Sequence, residues 1–256
     1  MFLTKKIFNC FLTLCTALCS SAAFSATSSS TENEEFYLPF LKPGHIVFEV
    51  GGYQGIQGEK QHINIHGLIG DTFTVDDMHD ENGLLGLGFF LDGPNLGRVQ
   101  TSFGINAFYL AQMSISGDVI QEDYFDNLSY HYNIKSFPLY AMAKSIIHLN
   151  SSKYALTLDA GIGPNFIRTS SFGEHSLDGG ITIPEDPFSS HTATALSETV
   201  GIGLRINDVF GPIPLEIGYR FFYLGQGRFS TNNDQVLNTL NTGKMYANAI
   251  VCSISF

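Results

Sequence analysis

The sequence predicts an all-β protein, an eight-stranded antiparallel up-and-down transmembrane β-barrel with long extracellular loops and short periplasmic turns. Three observations predict this fold: an export signal, apolar residues at every second position in segments of about ten residues, and connections that alternate in length. A helical membrane protein is not expected, because the longest apolar run of the mature chain, Leu84 to Leu91, is far shorter than the about 18 residues of a spanning helix.

The start of the chain has the three parts of a secretory signal peptide. Two lysines precede an apolar stretch from Ile7 to about Cys19, and small residues precede the preferred cleavage position after Ser25. A retained membrane anchor is the alternative, but the apolar stretch is short and contains polar residues. The predicted organisation is a signal peptide at 1–25, a periplasmic N-terminal segment at 26–43 and the barrel at 44–256.

Three of the four cysteines lie in this leader. Because Cys252 is the only one in the mature chain, we expect no intramolecular disulfide and no cysteine-based metal site. The sequence also has no phosphate-binding loop and no nucleophile elbow, so we expect no cofactor and no catalytic residues.

Eight segments carry the alternation, and an even number suits closure of a single-chain barrel. In the clearest one, Phe103 and Ile105 share an apolar face with Met113, while Asn106 lies on the polar face. The segments are roughly His45 to Tyr53, Leu84 to Leu91, Arg98 to Met113, His131 to Ile147, Tyr154 to Arg168, Thr194 to Ile206, Pro214 to Gly225 and Lys244 to Phe256.

The connections between these segments are of two kinds. Residues 92–97, 148–153 and 207–213 are short turns with Gly, Pro, Asn or Asp, whereas the other four connections run for about 17 to 30 residues. This asymmetry places both termini in the periplasm. A soluble β-sandwich is the alternative, because it also shows alternation, with the apolar face turned inward.

The end of the chain has an aromatic last residue and apolar residues at alternate positions before it. The residues are Tyr246, Ile250, Cys252, Ile254 and Phe256. This tail resembles the assembly signal of outer-membrane β-barrels, and the mature chain resembles, in topology, barrels of the OmpA transmembrane-domain, OmpX/Ail and opacity-protein type. The resemblance implies an outer-membrane protein that contacts lipid and lipopolysaccharide, with a tail that the β-barrel assembly machinery reads.

Two features depart from this family. The chain has no Trp, so any aromatic girdle must consist of Tyr and Phe. Strict alternation also points Glu198 and Asn248 at lipid, where a charge is costly. We therefore expect a β-bulge near Glu198 or a position at the membrane interface.

The charge is concentrated in the predicted outer loops. Of 24 acidic residues, 15 lie in the four long connections, which contain only two Lys or Arg residues, Lys60 and Arg228. Such a surface repels nucleic acid and attracts cations or basic partners. Solubility of the loops is the simplest explanation, and divalent cations shared with lipopolysaccharide phosphates are an alternative. His62, His66 and His79 join the first loop, but their spacing does not predict a metal site.

The polar face of the segments predicts a charge network inside the barrel. An eight-stranded barrel is just wide enough for its own side chains, so these groups should pair and close the interior. A ligand-lined lumen is the alternative. The predicted network is Glu49, Arg98, Lys135, Asp159, Arg205, Glu216 and Arg220.

The sequence favours a non-enzymatic role. The leading interpretation is a structural or surface-interaction barrel, acting in adhesion or envelope integrity, whose acidic loops contact an extracellular or host ligand. A narrow porin-like channel for small or hydrophobic solutes, of the OmpW type, is the second interpretation. A lipid A-modifying enzyme is the third, although His148 and Ser151 do not have the spacing of the deacylases.

Overall fold

The computed structural model describes residues 44–256, so the predicted signal peptide and periplasmic segment lie outside the described residues. The described residues contain no helix of the length and hydropathy needed to cross a membrane. The strands are β1 (Gly44–Ile56), β2 (Gln61–Ile63), β3 (Asp71–Phe73), β4 (His79–Leu96), β5 (Val99–Gln121), β6 (Phe125–His148), β7 (Tyr154–Ser176), β8 (Phe188–Ser189), β9 (His191–Phe210), β10 (Ile213–Gly225), β11 (Ser230–Thr231) and β12 (Met245–Ser255).

The eight long strands form a closed ring. Each pairs antiparallel with the next long strand in the chain, and β12 pairs with β1 from Val47 opposite Ser255 to Ile56 opposite Tyr246. Ile46 and Phe256 extend this seam with backbone hydrogen bonds of 3.0 and 2.9 Å. The predicted eight-stranded barrel is confirmed, and ring closure excludes the two-sheet sandwich.

The lower half of the barrel, which we define as the half that holds the chain ends and the short turns, has an apolar outer face. On β7 the outward side chains include Leu156, Leu158 and Ile162, whereas Thr157 and Asp159 are buried inside. Exposed Leu, Ile and Phe side chains continue this belt on the neighbouring strands. Because water is a poor solvent for such a belt, it marks the surface that contacts lipid.

Several strands extend beyond their predicted upper ends. The predicted loop at 114–130 is wrong, because β5 continues to Gln121 and β6 already begins at Phe125. The hairpin between them turns at Glu122 and Asp123, which both have positive φ, 52° and 61°. Two adjacent residues with positive φ match the twist of the flanking strands and allow a tight turn.

The side-chain pattern reverses phase within β5. The pairing of β5 with β6 shifts register between Leu110 and Met113, so Met113 is fully buried inside, and its predicted place on the lipid face is wrong. Below the shift, outward positions are apolar, as at Phe103. Above it, inward positions such as Ile115 are apolar and outward positions such as Ser114 are polar. The upper part therefore follows the rule of a soluble sheet, with apolar side chains inside and polar side chains outside.

Strand β9 has no β-bulge at Glu198, and the nearest register shift lies between Tyr223 and Gly225, where β10 pairs with β12. The register between β9 and β10 is continuous from Ile206 opposite Leu215 to Glu198 opposite Tyr223, and β7 also pairs with β9 without a shift. Glu198 is exposed on the outer face. The remaining expectation, a position at the membrane interface, stays a prediction.

Candidate functional site

A buried arginine organises the lower interior. Arg220 on β10 lies 2.8 Å from the Asp159 carboxylate and 3.6 Å from that of Glu49, and all three side chains are at least nine-tenths buried. Asn106 donates a further hydrogen bond to Glu49. On the upper side, the Arg220 guanidinium lies 5.1 Å from the centre of the Phe108 ring. The cation thus pairs with two acids and stacks on an aromatic face.

A second ion pair lies in the same interior. Lys144 on β6 donates to Glu216 at 2.7 Å, and Thr157 donates to the other carboxylate oxygen at 2.8 Å. Lys144 was not among the predicted network residues. It could have been found by parity, because it shares its face of β6 with Tyr140 and Met142, which are buried.

Two of the three remaining predicted network residues lie elsewhere. Lys135 is on the outer face of β6, in phase with exposed Phe137, so its predicted place in the interior is wrong. Arg98 lies in the exposed turn before β5, where it donates to Asn150, and its predicted place is also wrong. Arg205 is half-buried on the inward face of β9, opposite Glu216 in the register, so its predicted place in the interior is confirmed, and it donates to Asn207.

Little space remains between these charges. A cavity of about 10 Å³ is lined by Glu49, Asp159, Glu216 and Arg220, which is room for about one water. Gly201 contributes to the fit, because a Cβ atom there would lie 2.7 Å from the Asp159 carboxylate. The lower interior is therefore closed by paired charges in close contact.

The upper interior is filled by an aromatic cluster, which we define as Phe73, Tyr130, Tyr132, Phe172, Phe188 and Phe229. Phe229 lies at the centre, with ring centres 5.0 Å from Tyr132, 5.8 Å from Phe172 and 6.2 Å from Phe188. Phe73 and Phe188 come from the short strands of the connections. These connections therefore fold back into the barrel mouth and fill it.

Several acids of the outer connections bind backbone groups of their own chain. Glu122 accepts from the Ile69 amide at 3.0 Å and the Gly70 amide at 3.4 Å, which ties the first connection to the β5–β6 hairpin. Asp178 accepts from the hydroxyls of Ser176 and Thr182, both at 2.6 Å, and these hydrogen bonds lower the pKa of Asp178. Part of the predicted acidic surface thus stabilises the connections.

Two other acids are partly desolvated. Glu174 lies near the upper end of β7, above the part that faces lipid. Burial raises the pKa of Glu174, although its carboxylate accepts a hydrogen bond from the Glu185 amide at 3.1 Å. Burial also raises the pKa of Asp71 in β3. Neither group forms an ion pair within 4.0 Å among residues 44–256. The acids of the outer connections therefore differ in how strongly the fold opposes their charge.

The predicted tail lies on β12 and its seam with β1. The Phe256 ring contacts the Phe48 ring at 6.0 Å, and Ile250 is exposed on the outer face. Tyr246 lies near the upper end, 5.5 Å from Tyr223, as an aromatic girdle requires. Cys252 and Ile254 are half-buried on the same outward side of β12, and the role of all five residues in assembly stays a prediction.

The outermost part of the barrel exposes large apolar side chains, which we call the apolar tip: Leu68, Ile69, Tyr124, Phe125, Leu177, Ile181 and Ile183. Ile181 is 83% exposed and Tyr124 81% exposed. Hydrogen bonds hold the contributing segments together, since Leu177 donates to the Asn127 carbonyl at 2.9 Å and Asn127 donates to Thr182 at 2.7 Å. Acidic residues lie within or next to the same segments: Asp71, Glu122, Asp123, Asp126, Asp178, Glu185 and Asp186.

The sequence matches no protein-family model and no curated protein. The fold is similar to that of solved outer-membrane barrels. The outer membrane protein OprG from Pseudomonas aeruginosa aligns with a TM-score of 0.50 at 15% identity, over 84% of this chain and 97% of OprG. Neisserial surface protein A aligns with a TM-score of 0.43 at 10% identity, over 83% of this chain and 95% of that protein. Ail of Yersinia pestis aligns with a TM-score of 0.35 at 14% identity, over 83% of this chain and 99% of Ail.

The belt and the fold lead to one conclusion about where this chain acts. A closed ring satisfies all strand pairing without an edge, and the exposed apolar belt on its lower half requires hydrocarbon around it. The protein is an integral β-barrel of the outer membrane, with a small eight-stranded fold.

Proposed function

We propose that the protein is a non-enzymatic surface-interaction barrel that presents the apolar tip to an extracellular partner. The observation that carries the proposal is the exposure of large apolar side chains in segments that are also rich in acidic residues. Isolated surface apolar residues are ordinary, but seven in adjoining segments resemble a recognition surface. The closed lower interior supports the same function, because paired charges occupy the space that a solute would need.

The chemistry of the tip defines the partner. Apolar side chains at the centre with carboxylates around them fit a surface that is apolar in the middle and basic at its edge. The partner we expect is therefore a basic amphipathic protein or peptide. Nucleic acid is not the expected partner, because its phosphates carry the same negative charge as the carboxylates of these segments.

The test uses an amphipathic Lys/Leu peptide and the folded protein in detergent, with binding followed by fluorescence anisotropy. Tyr124→Ser/Ile181→Ser/Ile183→Ser should weaken binding by about tenfold or more, because each substitution removes apolar area from the contact. Leu149→Ser, in an exposed turn at the opposite end, is the matched control and should bind like the wild type. Equal binding by the tip variant and the wild type contradicts the proposal.

The two alternatives have separate measurements. Single-channel conductance in a planar bilayer would favour the narrow channel for small or hydrophobic solutes. A changed lipid A mass in cells that contain the protein would favour the enzyme. Neither result is expected from a surface-interaction barrel.

A further inference from the structure

A row of cations crosses the outer wall just above the lipid-facing belt. We define the basic row as Lys135, Arg168 and Arg228. Lys135 and Arg168 are register partners on β6 and β7, directly above the paired rings of Phe137 and Phe166. Both cations share the outward face of these rings. They therefore lie where a membrane-facing surface changes from apolar to polar.

The basic row has no internal counter-charge. Within residues 44–256, no carboxylate lies within 4.0 Å of any of the three cations. Like charges directly opposite each other on neighbouring strands destabilise a sheet. Acidic residues are abundant in the outer connections, yet none is paired with this row. An arrangement of this kind is favourable when an external anion binds between the cations.

The barrel wall is open beside the row. Register between β9 and β10 stops at Glu198 opposite Tyr223, whereas β7 remains paired with β9 up to His191. After Gly225, which has a φ of 80°, the chain turns into the barrel, and Gly227 packs close to Ile167. This leaves a notch in the wall where the upper part of β10 would otherwise continue beside β9.

The notch is polar and of moderate size. Its volume is about 430 Å³, and its lining includes His191, Thr192, Thr194, Gln226, Arg228 and Asn241. Thr192 is the register partner of Arg168, so the notch directly adjoins the pair of cations on β6 and β7. Hydroxyl and amide groups next to cations suit a phosphorylated sugar, in which hydroxyls and phosphates alternate.

We infer that the notch and the basic row bind the phosphorylated saccharide headgroup of the outer-leaflet glycolipid, lipopolysaccharide. The saccharide occupies the notch, one phosphate bridges Lys135 and Arg168, and Arg228 binds a second. Acyl chains then continue down the wall along Phe137 and Phe166. This site is separate from the apolar tip and does not depend on the proposed function.

The test measures binding of purified lipid A to the full-length, detergent-folded protein by microscale thermophoresis. Lys135→Gln/Arg168→Gln/Arg228→Gln should weaken binding by about tenfold for each charge that contacts phosphate. Lys153→Gln is the matched control, because Lys153 is an exposed cation at the lower end of the barrel, and it should leave binding unchanged. Gel mobility without boiling confirms that each variant is folded.

Two further ligands identify what the site recognises. Lipid A without its phosphates should bind the wild type as weakly as intact lipid A binds the triple variant. Inorganic phosphate alone should bind far more weakly than lipid A. The inference is overturned if dephosphorylated lipid A binds as well as intact lipid A, if the triple variant keeps wild-type affinity, or if free phosphate binds as tightly as lipid A.

Discussion

The lower and upper interiors of this barrel differ in what fills them. In the lower interior, Arg220 and Lys144 pair with three acids, and the fit depends on placing each acid beside a cation. In the upper interior, the aromatic cluster packs ring against ring, and the fit depends on shape and area. Outside the wall the order is reversed, because the belt around the charged interior is apolar and the surface around the aromatic interior is polar.

This contrast identifies the solvent at each level. Where lipid surrounds the wall, apolar side chains must point outward, and the polar groups of the alternation are left inside. Where water surrounds it, the apolar groups can turn inward as they do in a soluble sheet. One closed sheet therefore has two cores that are destabilised by different changes. The lower core is sensitive to the loss of one charge, and the upper core is sensitive to the loss of one aromatic ring.

The largest expected effect is on the lower core. Arg220→Met should reduce the free energy of unfolding by about 3 to 5 kcal/mol, because it leaves Glu49 and Asp159 buried without their cation. Urea unfolding of the protein in lipid vesicles measures the loss.

The control for this prediction removes the acids as well. Glu49→Gln/Asp159→Asn/Arg220→Met should recover a large part of the loss, because no charge is left unpaired. If the triple variant is as unstable as Arg220→Met, the lower core depends on packing and does not differ in kind from the upper core.

The second effect is on the upper core. Phe229→Ala should cost about 3 kcal/mol, because it leaves a cavity at the centre of three rings. Hydrogen exchange should rise in the upper parts of β5, β6 and β7, while the gel mobility of the unboiled protein stays that of a closed barrel.

Phe229→Leu is the matched control for the upper core. It keeps most of the apolar volume, so it should cost roughly a third as much as the alanine variant. Exchange that rises equally in the upper and lower strands of Phe229→Ala contradicts the separation of the two cores.

The same contrast explains what the sequence could predict. The lower belt was predictable because apolar and polar residues alternate in one fixed phase there, as at Leu156 and Thr157. The assignment of Lys135 to the interior assumed that polar residues point inward at every level, although Lys135 has the parity of Phe137, which points outward. In fact Lys135 lies above the belt, where polar side chains point outward, and the same parity rule would have selected Lys144 instead.

The upper strands were hidden by the same assumption. The run that follows Met113 still alternates, with Ile115 and Val119 facing inward, but its phase is opposite to that of the belt. The bulge that changes the phase has no clear local signal, because neither Ala111 nor Gln112 is a turn residue. The notch and the aromatic cluster depend on contacts between distant segments, and for this reason alternation alone does not reveal them.

The smallest expected effect compares the pH response of the two cores. Burial raises the pKa of Glu174 and Asp71 in the folded state, so ionisation of these acids opposes folding of the upper part at neutral pH. Lowering the pH from 7 towards these raised pKa values should therefore stabilise the upper part, by less than about 1 kcal/mol. Hydrogen exchange, corrected for its intrinsic pH dependence, measures the change in the upper strands.

Glu174→Gln sharpens this last comparison. Without the titrating carboxyl group of Glu174, the stability that the upper part gains on acidification should fall to the contribution of Asp71. The variant should also be slightly more stable than the wild type at pH 7. The lower core is the internal reference, since each of its three acids has a cation within 4.0 Å. If Glu174→Gln and the wild type respond equally to pH, desolvation of Glu174 is not the cause, and the outer acids act only through the hydrogen bonds that they accept.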